Sequence, residues 1–133
     1  MIIKPYTRFD AAEIRLLYQA VGWSNYVTRL EMMEKAFALS LCTLGAYEEN
    51  KLIGLIRCVG DGHSVVLIQD ILVLPEYQRR GVGTALMGAV LDRYKHVYQI
   101  QLVTDNTEKT KAFYHAQGFR LLEEMGCCAF MKI

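Results

Sequence analysis

Residues 65–90 carry the feature that most constrains the fold: an apolar run, a glycine turn and a helical pattern follow one another directly. The run VVLIQDILV ends before Pro75, the turn QRRGVG covers residues 78–83, and apolar residues then recur at helical spacing as far as Val90. The run predicts a strand and the later spacing predicts an amphipathic helix. Because the strand-like VYQIQLV follows, residues 65–103 are predicted to form a parallel, right-handed β-α-β crossover.

The remaining segments predict a mixed α/β fold. MIIKPYTRF is β-prone, Asp10 is a good N-cap for a first helix that Gly22 stops, and residues 27–39 repeat the helical pattern. Three strands then follow as an antiparallel meander. After the crossover, residues 105–117 predict a helix, and FRLLEE and CCAFMKI predict a final strand pair. The order β-α-α-β-β-β-α-β-α-β-β predicts a mixed, mostly antiparallel sheet with helices on both faces.

Length and composition predict one domain over residues 1–133. Hydrophobic residues make up 53% of the chain and the formal net charge is +1, so no overall field favours a nucleic acid or a membrane as partner. No signal pattern opens the chain and the longest weakly polar run, residues 36–46, is too short for a bilayer, so we expect a cytoplasmic protein. The four cysteines lack metal-ligand spacing with the histidines, so we expect reduced thiols and no metal.

The glycine turn has the chemistry of an anion site. Backbone N–H groups at the start of a helix are unpaired, and glycine lets an anion approach them closely. The turn lacks the Lys-Ser/Thr pair of a P-loop and has Leu86 where a dinucleotide fingerprint needs glycine or alanine. A pyrophosphate is a group that this run can still hold. The residues predicted to surround it are Gln78, Arg79, Arg80, Gly81, Val82, Gly83 and Thr84.

Two motifs together resemble the general N-acetyltransferase (GNAT) superfamily. Q/R-x-x-G-x-G/A after a strand that ends in an apolar residue and proline is that family's coenzyme A signature, and DILVLPEYQRRGVGTAL is similar to it. The second marker is an asparagine shortly after the next strand, followed by FY and GF, and DNTEKTKAFYHAQGF matches it. The resemblance implies a GNAT-like acyl-CoA acyltransferase fold. It also implies transfer of the acetyl group of acetyl-CoA to a primary amine of a small molecule or peptide, by direct attack in a ternary complex.

The resemblance assigns roles in the chemistry of transfer. Tyr114 matches the general acid that protonates the leaving thiolate, and a phenol with a pKa of about 10 can do so at little cost. The backbone N–H of Leu72 or Val73 would stabilise the oxyanion. The strand edge from Ile71 to Val73 would pair with the amides of the pantetheine arm of acetyl-CoA.

Five further candidates have a weaker basis. Asp70 interrupts an apolar strand, and alternation predicts that it shares a face with Leu72 and Ile68, where loss of solvent would suit a general base. A salt bridge, a turn-capping role, a relaying water or the absence of any base are the alternatives. Trp23 and Tyr26 either line the acceptor pocket or fasten the first two helices to the sheet. Asn106, a coenzyme contact by resemblance, is equally explained as a helix cap, and Phe113 joins the coenzyme site as part of the FY motif.

Alternatives to this enzyme also stay open. A non-catalytic acyl-CoA sensor or scaffold would keep the coenzyme site without turnover. An acceptor such as tRNA would need a basic stripe, which the near-zero charge disfavours. No cysteine has a basic neighbour pattern, so a covalent route through a thiolate is not expected. The chain is either a monomer or a homodimer in which CCAFMKI pairs with a second copy.

Overall fold

Five strands in chain order form the sheet. The computed structural model describes all 133 residues, which divide into two units, Met1–Val103 and Thr104–Ile133. The first unit contains β1 (Ile2–Pro5), α1 (Ala11–Ala20), α2 (Ser24–Val27), α3 (Leu30–Leu39), β2 (Cys42–Glu48), β3 (Lys51–Gly60), β4 (Val65–Val73), a 3₁₀ helix (Pro75–Tyr77), α4 (Val82–Arg93) and β5 (Gln99–Leu102). The second unit contains α5 (Glu108–Ala116) and a 3₁₀ helix (Leu122–Met125).

The pairing of the strands confirms the predicted meander and parallel step. β1, β2, β3 and β4 pair in succession as antiparallel neighbours, and β5 pairs with β4 in parallel. The connection from β4 to β5 runs through α4, as a parallel pair requires. The mixed, mostly antiparallel α/β class expected from the sequence is therefore confirmed.

Helices cover both faces of this sheet. A Cβ atom at Gly54 of β3 would lie 3.1 Å from Val82 and 3.3 Å from Leu86, both in α4. Arg57 lies three positions further along β3, and its guanidinium stacks on Phe37 of α3 at 5.3 Å from the ring centroid. Residues an odd number apart in a strand point to opposite faces, so α3 and α4 lie on opposite sides. β3 is buried along nearly its whole length between them.

The first helices begin and end close to their sequence signals. The carboxylate of Asp10 accepts a hydrogen bond from the Glu13 N–H at 3.2 Å and caps α1, and Gly22 follows α1 with a φ of +83°. The pattern predicted over residues 27–39 forms a helix only from Leu30, because the short α2 occupies the preceding loop. None of the helices has both the length and the apolar character needed to cross a bilayer.

The predicted final strand pair is wrong. Residues 119–124 and 127–133 contain no strand, and Leu122–Met125 forms a 3₁₀ helix instead. Backbone groups there are paired locally: the N–H of Gly126 donates to Glu123 O at 3.1 Å, and that of Cys127 donates to Leu122 O at 2.9 Å. These bonds form a local turn between the two predicted strands, and the β-prone composition alone does not produce a ladder.

Candidate active site

β4 loses its parallel partner halfway along its length. β5 pairs with β4 only from Val65 to Ile68, because β5 ends at Leu102. β4 continues to Val73, so residues 69–73 have no strand partner on this side. An unpaired stretch of strand can form backbone hydrogen bonds with an extended ligand.

Strand alternation decides which backbone groups face this open edge. The N–H of Leu74 donates to Ile53 O of β3 at 2.8 Å. Because the direction of backbone groups alternates along a strand, the N–H of Leu72 also points to β3, and those of Ile71 and Val73 point to the open edge. Of the two N–H groups named from the sequence as oxyanion donors, only that of Val73 faces outward.

The glycine turn begins α4 at the end of this open edge. Gly81 is the N-cap of α4 with a φ of +81°, and no side chain caps the helix. Arg79 also has a positive φ, +64°, which is uncommon for a residue with a side chain. The amide of Gln78 donates to Val73 O at 3.0 Å and ties the turn to β4. An uncapped helix start in an exposed turn is suited to hold an anion.

Cationic side chains surround the turn. The guanidinium of Arg80 lies 5.4 Å from the ring centroid of Tyr77, and the ammonium of Lys51 lies 5.5 Å from the same centroid. Neither Arg79 nor Arg80 forms a salt bridge. The positive charge beside the turn is thus not neutralised by a carboxylate of the chain.

Asp70 is a buried, ion-paired carboxylate. The Nε of Arg57 donates to Oδ2 of Asp70 at 2.8 Å, and the hydroxyl of Tyr18 donates to the same oxygen at 2.9 Å. Oδ1 is buried and has no hydrogen-bond partner. Burial and the negative charge of Asp70 raise the pKa of Tyr18, so Tyr18 stays a donor. The salt bridge, one of the alternatives left open for Asp70, is therefore present, since Arg57 lies directly opposite it on β3.

The prediction that Asp70 shares a face with Ile68 is wrong, because β4 contains a β-bulge between them. Asp70 pairs with Arg57 but Ile68 pairs with Cys58, so Gln69 is an extra residue in β4. Arg57 and Cys58 are adjacent and point to opposite faces, and their partners follow them. Asp70 therefore lies on the face opposite to Ile68, although simple alternation placed the two together.

An aromatic cluster adjoins the carboxylate through Tyr18. The ring centroid of Tyr18 lies 5.8 Å from that of Trp23 and 5.5 Å from that of Tyr26, and the last two are 6.2 Å apart. Tyr18 is buried, whereas Trp23 and Tyr26 are half-buried. The two predicted acceptor residues thus contact Tyr18, which in turn bonds Asp70.

Sequence reasoning missed Tyr18 and Arg57. Tyr18 falls on the apolar stripe of α1 and so has the pattern of a core residue. Arg57 interrupts the apolar run LIGLIRCV, as Asp70 interrupts the run of the next strand. Two opposite charges in two neighbouring buried strands were a signal that could have predicted their pairing.

The second unit holds the remaining candidates. Tyr114 packs edge-to-face on Phe113 and Phe119, at 5.1 and 6.0 Å between centroids, and burial raises the pKa of Tyr114. The N-cap of α5 is Thr107, whose hydroxyl accepts a hydrogen bond from the N–H of Thr110 at 3.2 Å. Capping therefore does not explain Asn106, which is exposed.

The chain is similar to known proteins over most of its length. The model of the acetyltransferase (GNAT) family matches residues 10–119. An uncharacterised N-acetyltransferase, ycf52-like, from Prochlorococcus marinus is 34% identical over 125 residues, which are 91% of this chain and 68% of that relative. A solved GNAT family acetyltransferase from Streptococcus pneumoniae TIGR4 is 42% identical with a TM-score of 0.90, over 99% of this chain and 96% of that one. An aminoglycoside 6'-N-acetyltransferase solved with coenzyme A has a TM-score of 0.69 at 18% identity, over 89% and 73% of the two chains, and shares the fold alone.

Proposed function

Since the chain belongs to the acetyltransferase (GNAT) family, we propose that it transfers the acetyl group of acetyl-CoA to a primary amine of a small molecule or a peptide. The amine attacks the thioester carbonyl directly in a ternary complex. The observation that carries the proposal is the open edge of β4 at residues 69–73. The uncapped start of α4 at Gly81 follows it after one short 3₁₀ helix.

These two features suit the two halves of coenzyme A. The pantetheine arm carries amides and can pair with the outward-facing backbone groups of Ile71 in β4. The pyrophosphate suits the helix start and the positive charge of Arg79 and Arg80. Gln78 would hold the turn against β4, since its amide bonds to Val73 O. On the resemblance, Val82, Gly83 and Thr84 belong to the same phosphate site, and Asn106 and Phe113 also contact the coenzyme.

The chemical step needs an oxyanion donor, an acid and a route for the proton of the amine. The amine nitrogen bonds to the carbonyl carbon, the carbonyl oxygen becomes an oxyanion, and the C–S bond then breaks. We assign the oxyanion to the N–H of Val73, because it faces the open edge. We assign protonation of the thiolate to Tyr114 on the resemblance, and burial keeps this phenol protonated because it raises the pKa of Tyr114.

Asp70 is our candidate for the group that accepts the amine proton, directly or through a water. Its Oδ1 has no partner within the chain, whereas Oδ2 is occupied by Arg57 and Tyr18. A carboxylate oxygen without a partner keeps its capacity to accept a hydrogen bond. The half-buried rings of Trp23 and Tyr26 adjoin this group through Tyr18 and are our candidates for the acceptor wall.

Two measurements test the proposal. Acetyl-CoA should raise the melting temperature, because a ligand that binds only the folded state stabilises it. Free thiol should be released from acetyl-CoA when primary amines are added, and the rate without an amine is the control. Stabilisation without thiol release for any amine or amino-terminal peptide would support the alternative function, an acyl-CoA sensor or scaffold.

Tyr114→Phe tests the assignment of the acid. We expect turnover to fall about 10²-fold, the lower range for loss of a general acid. The stabilisation by acetyl-CoA should stay nearly unchanged, because the ring and its contacts with Phe113 and Phe119 remain. Unchanged turnover would remove Tyr114 from the mechanism.

The proposal includes the setting of the reaction. The four cysteines are free, which suits a reducing compartment, and we propose that the protein acts in the cytoplasm. We propose neither a nucleic acid nor a membrane as partner, because the net charge is only +1. A homodimer stays the second arrangement beside the monomer.

A further inference from the structure

The buried oxygen Oδ1 of Asp70 is a polar atom without a hydrogen-bond partner in the chain. Asp70 is 2% exposed, and this oxygen is the only buried side-chain polar atom without a hydrogen bond. Such groups are rare in native proteins because an unmet bond in the interior costs free energy. Two donors, from Arg57 and Tyr18, bind the other oxygen, so the carboxylate is held with one side free.

Two half-buried aromatic rings pack on Tyr18, whose hydroxyl bonds this carboxylate. Trp23 and Tyr26 are half-buried, and each contacts the ring of Tyr18 edge-to-face. The hydroxyl of Tyr18 then contacts Asp70. Both Trp23 and Tyr26 lie at the four-residue helix α2, Trp23 as its N-cap. A ligand that reaches Oδ1 beside these rings would need them to rotate, and side-chain rotations of this kind are common when ligands bind.

We propose that Oδ1 of Asp70 binds the protonated amine of the acceptor, and that the acceptor is an alkylammonium compound with no carboxylate beside its amine. This inference rests on the proposed function. An ammonium gains a charge-assisted hydrogen bond from the carboxylate and cation–π attraction from Trp23 and Tyr26, whereas a neutral alcohol gains neither.

The charges of the site argue against amino acids as acceptors. The α-carboxylate of an amino acid would be held close to Asp70, and like charges at short range repel. Arg57 is the only buried cation, and it is already bound to Asp70 and to the hydroxyl of Ser40, at 3.1 Å. No buried positive group remains to receive a second carboxylate.

The fluorescence of Trp23 provides a test that needs no turnover, since Trp23 is the only tryptophan. The full chain is titrated with n-butylamine, 1-butanol and norvaline, which is butylamine with a carboxylate beside the amine. We expect butylamine to bind about tenfold or more tightly than either of the others, as one hydrogen bond to a charged group implies. In Asp70→Asn, this advantage over butanol should shrink to about twofold or less, as only the cation–π attraction then remains.

Two further measurements separate a loss of ammonium binding from a loss of folding. Tyr26→Leu leaves the Arg57–Asp70 pair intact and should weaken butylamine binding about threefold, a small loss of cation–π attraction, without changing the stabilisation by acetyl-CoA. The comparison of butylamine with butanol in the unaltered protein decides the question even if Asp70→Asn does not fold. Equal binding of the two would overturn the inference and leave an internal water as the partner of Oδ1.

Thiol release separates this inference from the proposed function. If butylamine binds as expected but no amine releases thiol from acetyl-CoA, the transferase fails and the ammonium site stands. If thiol is released equally well with norvaline and butylamine, the ammonium site fails and the transferase stands.

Discussion

At the scale of single residues, we predict that removal of one member of the Arg57–Asp70 pair lowers the free energy of unfolding strongly. Replacement of both members by apolar residues should lower it much less. Both side chains are almost fully buried, so removal of one leaves an uncompensated charge in the interior. We expect Arg57→Met to lower the free energy of unfolding by about 3–5 kcal/mol. The double variant Arg57→Met, Asp70→Leu should be clearly more stable than Arg57→Met alone, because it buries no charge.

Urea unfolding of both variants and of the unaltered protein measures these differences. Tyr18→Phe is the matched control, since it removes one hydrogen bond to Asp70 and leaves the ion pair. A double variant less stable than Arg57→Met would contradict the interpretation that the uncompensated charge is what destabilises the single one.

Asp61 is predicted to make stability depend on acid pH. Its Oδ1 accepts hydrogen bonds from the backbone N–H groups of His63, Ser64 and Val65, and the bond from the Ser64 side chain together with these lowers the pKa of Asp61. Because the folded pKa lies below the unfolded value of about 3.9, this stabilisation is complete above about pH 5 and is lost as the pH falls towards the folded pKa.

Melting temperatures of Asp61→Asn and the unaltered protein, compared from pH 7 to pH 2, measure this effect. We expect the variant to melt at a lower temperature at neutral pH, and the difference to shrink below about pH 4. A difference that is constant over the whole range would assign the effect to the turn geometry alone.

At the scale of elements, the start of α4 is predicted to depend on backbone conformation more than on charge. A Cβ atom at Gly81 would meet nothing within 4 Å, so the penalty of a side chain comes from the φ of +81°. We expect Gly81→Val to weaken acetyl-CoA binding about tenfold, because it costs about 1–2 kcal/mol to hold a branched residue in this conformation. Arg79→Ala should weaken binding only a few-fold, as expected for one exposed charge.

Calorimetric titration with acetyl-CoA compares these variants, and Gly81→Asn is the control because asparagine tolerates positive φ. Gly81→Asn should bind more tightly than Gly81→Val. If Arg79→Ala weakened acetyl-CoA binding more than either Gly81 variant, the charge of the turn would determine affinity and not the backbone conformation of the helix start.

Elements with a strong local signal were predictable, and those decided by distant contacts were not. The strand, glycine turn and helix around Gly81 follow from periodicity and an N-cap glycine. The bulge at Gln69 leaves no mark in the sequence, because register depends on how β3 and β4 pair. The final strand pair was predicted wrongly because the composition of CCAFMKI favours a strand, while strand propensity alone does not supply a pairing partner.

At the scale of the whole molecule, the cysteines are predicted to fall into two classes of reactivity. Cys127 and Cys128 are exposed, and Cys42 and Cys58 are buried as direct partners in β2 and β3. Burial raises the pKa of Cys58 to about 12, so little reactive thiolate forms near pH 8.

Titration with a thiol reagent at pH 8 should therefore modify two cysteines rapidly and all four after unfolding. Cys127→Ser, Cys128→Ser is the control and should show no rapid phase. Rapid reaction of four thiols in the folded chain would contradict the burial of the β2–β3 pair.

The fold class and the coenzyme motif could be predicted at this scale, and the acceptor side only in part. Trp23 and Tyr26 were identified as candidates, but the link between them and Asp70 runs through Tyr18, which is 52 residues away from Asp70 in the chain. A contact between a helix and a strand so far apart depends on tertiary packing, which periodicity does not encode.

The early end of β5 has a consequence for the life of the protein in the cell. The backbone of β4 beyond Ile68 lacks a strand on the side of β5, and on the proposed function the acetyl donor would fill that position. A copy that has bound the donor would then resist proteases better than an empty copy, because a ligand that binds only the folded state lowers the unfolded fraction.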